Sequence, residues 1–143
     1  MLSKKHKMFN ELFRDDYFLW LRENSSVKKG NKGWFELTTP YLITHNQYRK
    51  NEYITVYVKQ EKGVITISDD GEVLPWTVPA QADKIINAYG LKVLKGELRY
   101  KNDTELEVLT GELRVKCNEG DFVQKLHNLI SAIIEINALK YAR

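Results

Sequence analysis

The chain has 143 residues, of which 43% are hydrophobic and 29% charged, with a formal net charge of +3. That is the usual size of one domain and enough to bury a core without metal or disulfide staples; no apolar run approaches the roughly 20 residues that cross a bilayer, which excludes a membrane-spanning helix. The only cysteine, Cys117, excludes an intramolecular disulfide and a thiolate metal cluster within one chain.

The N-terminal stretch MLSKKHKMFNELF begins basic but then meets Asn10, Glu11, Arg14, Asp15 and Asp16 instead of an unbroken apolar segment. It does not read as an export signal, and the expected location is the cytoplasm. From Lys4 to Glu23, Phe9, Leu12, Phe13, Leu19 and Trp20 recur at spacings that predict an amphipathic helix. NSSVKKGNKG has neither periodicity and reads as a loop. WFELTT has strand character and is expected to end at Pro40. Residues 53–59 alternate, with Ile54, Val56 and Val58 on one face and Tyr53, Thr55, Tyr57 and Lys59 on the other; after a turn at 60–63, VITIS returns as the partner strand.

Further along, Pro79 suits the first turn of a short helix and Gly90 its C-terminal cap. The segments LKVLKGELRYK (91–101) and LEVLTGELRVK (106–116) then agree at eight of eleven positions with an offset of 15. Each copy reads as a hairpin, about Lys95-Gly96 or Thr110-Gly111, and two copies are too few for a solenoid. Asp121 precedes a last helix in which Phe122, Val123, Leu126, Leu129, Ile130, Ile133 and Ile136 trace an apolar stripe. The expected fold is one α+β domain over residues 1–143: an antiparallel sheet packed against N-terminal and C-terminal helices, with a short middle helix and a duplicated hairpin-like segment at 91–116.

Charge is unevenly distributed. Residues 1–60 carry 11 Lys and Arg against 6 Asp and Glu, whereas residues 61–143 carry 11 against 13. Such asymmetry can mark a face for nucleic acid or an acidic partner, and it also serves simple solubility. Within the basic half, Tyr41, His45, Tyr48, Arg49, Lys50, Tyr53, Tyr57 and Lys59 interleave rings and cations, a composition that suits stacked bases or a protein hot spot. The alternative is that these tyrosines pack beneath the first helix with their hydroxyls reaching solvent.

Two adjacent carboxylates, Asp69 and Asp70, end the VITIS strand. As oxygen donors they are candidates for Mg²⁺, and with Glu36, Lys59 and His45 they are the candidate catalytic groups of a metal-dependent nuclease or phosphodiesterase. Adjacent strand residues point to opposite faces, however, so the pair converges only if the chain turns between them, and Asp-Gly also simply punctuates a turn in which Asp70 accepts local backbone hydrogen bonds. The sequence lacks a Gly-x-Ser-x-Gly elbow, an HExxH zinc motif and a phosphate-cradling loop. His127 flanks the core of the last helix. No cofactor is called for in the leading reading.

Three segments, ELTTPYLITHNQ, YITVYVKQEKGVITISDDGEVL and GDFVQKLHNLISAIIEIN, together resemble a bacterial and phage family, domain of unknown function 1828, over roughly residues 33 to 137. The most specific elements are ISDDG and QKLHNLISAI, and the duplicated segment at 91–116 is longer than the family's usual connection. The resemblance implies a compact α+β module carried by phage or other mobile elements. The functional expectation is therefore a small non-enzymatic protein that binds a host macromolecule, most simply a host defence or regulatory protein, through Tyr41, His45, Arg49, Lys50, Tyr53, Tyr57 and Lys59. The alternatives are the nuclease centred on Asp69 and Asp70, and a nucleic-acid-binding module. No motif specifies an oligomeric state.

Overall fold

The computed structural model describes residues 11–44, 51–71, 79–100 and 107–141. A π-helical segment, Leu12–Tyr17, leads into α1 (Phe18–Glu23). Strands β1 (Ser26–Lys29), β2 (Phe35–Thr44), β3 (Asn51–Glu61) and β4 (Val64–Ser68) follow, then α2 (Pro79–Ala88), β5 (Lys92–Tyr100), β6 (Glu107–Cys117) and α3 (Phe122–Tyr141). The strands form one antiparallel sheet in the order β1-β2-β3-β4-β6-β5, the α+β architecture expected.

Period-two alternation builds the core. Ile54 and Val56 of β3, Ile65 and Ile67 of β4, and Leu113 and Val115 of β6 are buried on the same side of the sheet. Onto them α3 lays Leu129, Ile130, Ala132, Ile133 and Ile136, and α2 adds Ala82 and Ile86. Helix α3 packs across β2, β4 and β6 and against α2, while α2 packs over β5 and β6. The stripe predicted for the last helix is correct except at its start, where Val123 in the first turn is exposed. No described helix is long and apolar enough to cross a membrane.

The helix ends are capped as their residues require. Gly90, at φ +66°, closes α2: its N–H donates to the Asn87 carbonyl and that of Leu91 to the Ile86 carbonyl, at 3.2 and 3.0 Å. This left-handed cap seats Leu91 in the core. Before α3, Asn118 and Asp121 each accept the other's backbone N–H, at 2.8 and 3.1 Å.

Three local expectations are corrected. The supposed loop after the first helix contains an edge strand, β1, whose four residues are all exposed. A strand that buries neither face leaves no hydrophobic alternation to detect, and its Lys28 and Lys29 discourage further edge pairing. Strand β2 does not stop at Pro40. Its last pairing with β1 is at Thr38, and a register shift against β3 lies between Thr38 and Leu42, so the proline sits in an irregular stretch where its missing N–H breaks no ladder. Finally, the duplication does not make two hairpins. Each copy is one strand, and the copies pair with each other as β5 and β6. Lys95 and Gly96 oppose only Gly111 between the pairs Leu94↔Glu112 and Glu97↔Thr110, so the glycines read as turns occupy a bulge within continuous strands.

The N-terminal helix is less embedded than its periodicity suggests. Tyr17 reaches Tyr41 on β2, hydroxyl to hydroxyl at 3.3 Å, yet Leu12, Phe18, Leu19 and Trp20 are exposed by 45 to 56%.

Candidate functional site

Helices α2 and α3 cover one face of the sheet; on the other, cross-strand register aligns a row of polar side chains. From edge to edge it runs Lys28, Glu36, Tyr57, Ser68, Arg114 and Lys92, one residue from each strand. Because directly opposed residues of antiparallel strands share a face, residues distant in sequence meet here. A pocket of about 330 Å³ opens over the middle of this row, with Trp34, Asp70 and Glu112 among its walls.

Trp34 is delivered by the β1–β2 turn, which the Gly30 N–H closes onto the Trp34 carbonyl at 2.8 Å. Lys32 and Gly33 both have positive φ within it. The indole lies beside two cations, with the Arg114 guanidinium 5.6 Å and the Lys59 ammonium 5.7 Å from its ring centre, within cation–π range. Both cations are neutralised locally: Arg114 Nε donates to Glu112 Oε1 at 2.8 Å, and Lys59 pairs with Glu61 at 2.9 Å. Glu112 Oε1 also accepts the Ser68 hydroxyl, whose oxygen in turn accepts the Asp70 N–H at 2.9 Å. This chain ties polar groups of β4, β6 and the turn after β4 into one wall. Glu36 and Asp70 are different: neither carboxylate has an ion pair among the described residues.

The Asp69-Asp70 pair does not converge. Asp69 is 1% exposed, and its Oδ1 accepts the N–H of Gly71 at 2.9 Å and of Leu113 at 2.8 Å. Its own N–H donates to the Leu113 carbonyl at 3.2 Å. The side chain thus extends the β4–β6 ladder past the end of β4 and pins the turn. Asp70 then takes a positive φ of 59° and is exposed. The two carboxylates line different cavities, Asp70 the pocket beside Trp34 and Asp69 a second one of about 230 Å³ bounded by Ile43, Glu52, Tyr53 and Ile133. The turn reading holds, but its acceptor is Asp69, and Asp70 enters through its N–H. No cluster of three or more His, Cys, Asp and Glu side chains suited to a metal occurs among the described residues.

The remaining candidates are dispersed. His45, Arg49 and Lys50 lie outside the described residues. Tyr41 packs against the core and bonds to Tyr17, and that hydrogen bond, with partial burial, raises its hydroxyl above the ordinary tyrosine range. Tyr53 is 58% exposed. Tyr57 is half-buried and lines both cavities, and Lys59 stands at Trp34. Cys117 is buried, and burial, reinforced by the charge of Asp121, pushes its thiol up, the opposite of nucleophile activation. His127 is exposed, 3.5 Å from the Ser131 hydroxyl one turn on.

Of the predicted residues, the pocket gathers Glu36, Tyr57 and Asp70, with Lys59 alongside. It adds Trp34, Ser68, Glu112 and Arg114, which sequence reasoning missed. Alternation could have found part of this set. Glu112 and Arg114 flank the core residue Leu113, and Ser68 follows Ile67, so each belongs to the face opposite the core once both segments are read as single strands.

No curated protein and no solved structure matches the chain significantly. The family model for Domain of unknown function DUF1828 matches residues 39–136, a span that runs from the middle of β2 through most of α3 and includes the Asp69 turn, the paired duplication and the Tyr57, Ser68, Asp70, Glu112 and Arg114 walls of the pocket. The chain therefore belongs to the DUF1828 family.

Proposed function

We propose that this chain is a non-catalytic, cytoplasmic binding module that docks a host protein through the face of its sheet opposite α2 and α3. The observation that carries the reading is the pocket of Trp34, Glu36, Tyr57 and Asp70 on that face, where rings and polar groups stand beside one another without a core to serve. Aromatic and arginine groups in partly desolvated pockets are the usual anchors of protein interfaces. A regulatory or antidefence role in a phage or mobile element is the setting this proposal adopts, on the strength of the family resemblance.

The hydrolytic alternative has less support. Asp69, which it needs as a ligand, spends a carboxylate oxygen on two backbone N–H groups and faces a different cavity from Asp70. A nucleic-acid reading draws on Lys59 and Arg114 beside Trp34, but both cations are already paired with carboxylates.

The test is capture of host proteins by the intact chain, compared with a Trp34→Ala/Tyr57→Ala variant that melts cooperatively. Loss of a specific captured protein in the variant is the expected outcome, and a pocket anchor of this type is worth about 2 kcal/mol or more of binding. Divalent-dependent cleavage of DNA, RNA or a cyclic nucleotide, abolished by Asp70→Ala, would overturn the non-catalytic reading.

A further inference from the structure

We infer that the pocket on the face opposite α2 and α3 receives one cationic side chain, an arginine or lysine, from a protein partner. This rests on the reading that the face is a docking surface and adds the chemistry of what docks. Among the described residues, four charged side chains line the pocket: Glu36, Asp70, Glu112 and Arg114. Glu112 and Arg114 cancel each other in a 2.8 Å ion pair, and the Lys59 charge beside Trp34 is met by Glu61 at 2.9 Å. What remains is two carboxylates, Glu36 and Asp70, with no ion pair among the described residues. Lys28 stands opposite Glu36 in the strand register but is not within ion-pair distance of it.

The residual charge of the described lining is therefore about −2, next to an indole and a phenol. A guanidinium or ammonium group satisfies both kinds of neighbour: it donates charge-assisted hydrogen bonds to carboxylates and lies against aromatic faces. A phosphate would meet two unpaired carboxylates instead, which is repulsive at short range. The volume, about 330 Å³, lies at the small end for ligand pockets and suits one side chain rather than an extended ligand. The backbone of Glu36 is fixed in β2 by its pairing with Tyr57, and that of Asp70 by its N–H bond to Ser68, so the positions that carry the two acceptors are set before the cation arrives.

The probe is the tripeptide amide acetyl-Gly-Arg-Gly-NH₂, titrated into the ¹⁵N-labelled intact chain while the Trp34 indole N–H and Ser68 amide resonances are followed. Acetyl-Gly-citrulline-Gly-NH₂, which keeps the shape and removes the charge, is the control. The expected result is a saturable shift of both resonances with the arginine peptide, weakened at least about tenfold by citrulline and by Glu36→Gln/Asp70→Asn, and weakened by added salt, as for a desolvated charge pair. The double variant should melt like the wild type, since neither carboxylate has an ion pair among the described residues to lose. Equal shifts with both peptides would overturn the cationic assignment while leaving the docking face intact. No shift with either peptide, together with host-protein capture unchanged by Trp34→Ala/Tyr57→Ala, would overturn both. A shift with single-stranded oligodeoxythymidylate alone would overturn the cationic assignment in favour of nucleic acid.

Discussion

The two faces of the central sheet are made by the same strands and obey opposite rules. On the covered face, Val56, Ile67 and Leu113 are fully buried and belong to one apolar cluster with side chains of α2, α3 and the adjacent strands. One residue along each strand, Tyr57, Ser68 and Arg114 point the other way and line the polar pocket. A step of one residue separates dry packing from a site able to meet a ligand, because side chains alternate across a strand. The first face holds the fold together; the second carries the polar pocket.

If this division is right, the covered face should dominate stability. Ile133→Ala removes a side chain that is 1% exposed at the centre of α3, and should cost about 4 kcal/mol through lost transfer energy and a residual cavity, read by urea denaturation. A cost below about 1 kcal/mol would mean that α3 is not docked as described.

The next effect tests the hinge between the faces. Asp69→Ala leaves the N–H groups of Leu113 and Gly71 without their carboxylate acceptor, and should cost about 3 kcal/mol, since hydrogen bonds to charged groups are worth about 1.5–3 kcal/mol and buried donors are costly to orphan. Amide exchange should speed up at Leu113 and Gly71 before the rest of β6. If Asp69→Ala instead melts like the wild type, the carboxylate is not structural and a chemical role for it returns.

On the uncovered face the expected costs are smaller. Ser68→Ala removes the hydroxyl between Glu112 and the Asp70 N–H, and should cost about 1 kcal/mol, the scale of a typical net hydrogen bond. Its sharper signature is a shift of the Trp34 indole resonance, because the Glu112 carboxylate that pairs with Arg114 beside the indole loses its Ser68 donor. The smallest effect belongs to Asp70→Asn. At φ +59° the backbone is left-handed, a conformation that Asn tolerates as well as Asp, and the bond to Ser68 uses the backbone N–H, which the substitution keeps. Calorimetry should show a change within about 0.5 kcal/mol. Contrast between the two neighbouring aspartates, large at Asp69 and negligible at Asp70, is the most direct check on the turn.

Legibility in the sequence followed burial. The β3–β4 hairpin was visible because β3 alternates between Ile54, Val56 and Val58 and the opposite polar set, and because the chain reverses at Lys62 and Gly63, both with positive φ. The last helix was visible because one face of it is core. Strand β1 was not, since none of its residues is buried. The duplication was seen as similarity but misread as geometry, because a Lys-Gly or Thr-Gly pair suits a turn as readily as a bulge and only the pairing partner distinguishes them. Of the pocket, Glu36, Tyr57, Lys59 and Asp70 were named for their chemistry, but Trp34, Ser68, Glu112 and Arg114 were not. Ser68, Glu112 and Arg114 come together only when β4 pairs with β6, and Trp34 reaches them from the β1–β2 turn.

Local physics, then, determined what each segment is: which residues alternate, where α2 ends at Gly90, where α3 begins after Asp121, and that the chain turns at Asp69-Asp70-Gly71. These follow from backbone preferences and from the hydrophobic period, both of which act over a few residues. Tertiary structure decided which segments became neighbours, and with that which carboxylates face one another. Placing β6 beside β4 engaged Asp69 with Leu113 and brought Glu112 and Arg114 to Ser68. A register between strands more than forty residues apart is set by the burial of their shared core face, a nonlocal cooperative choice that no short stretch of the chain encodes by itself.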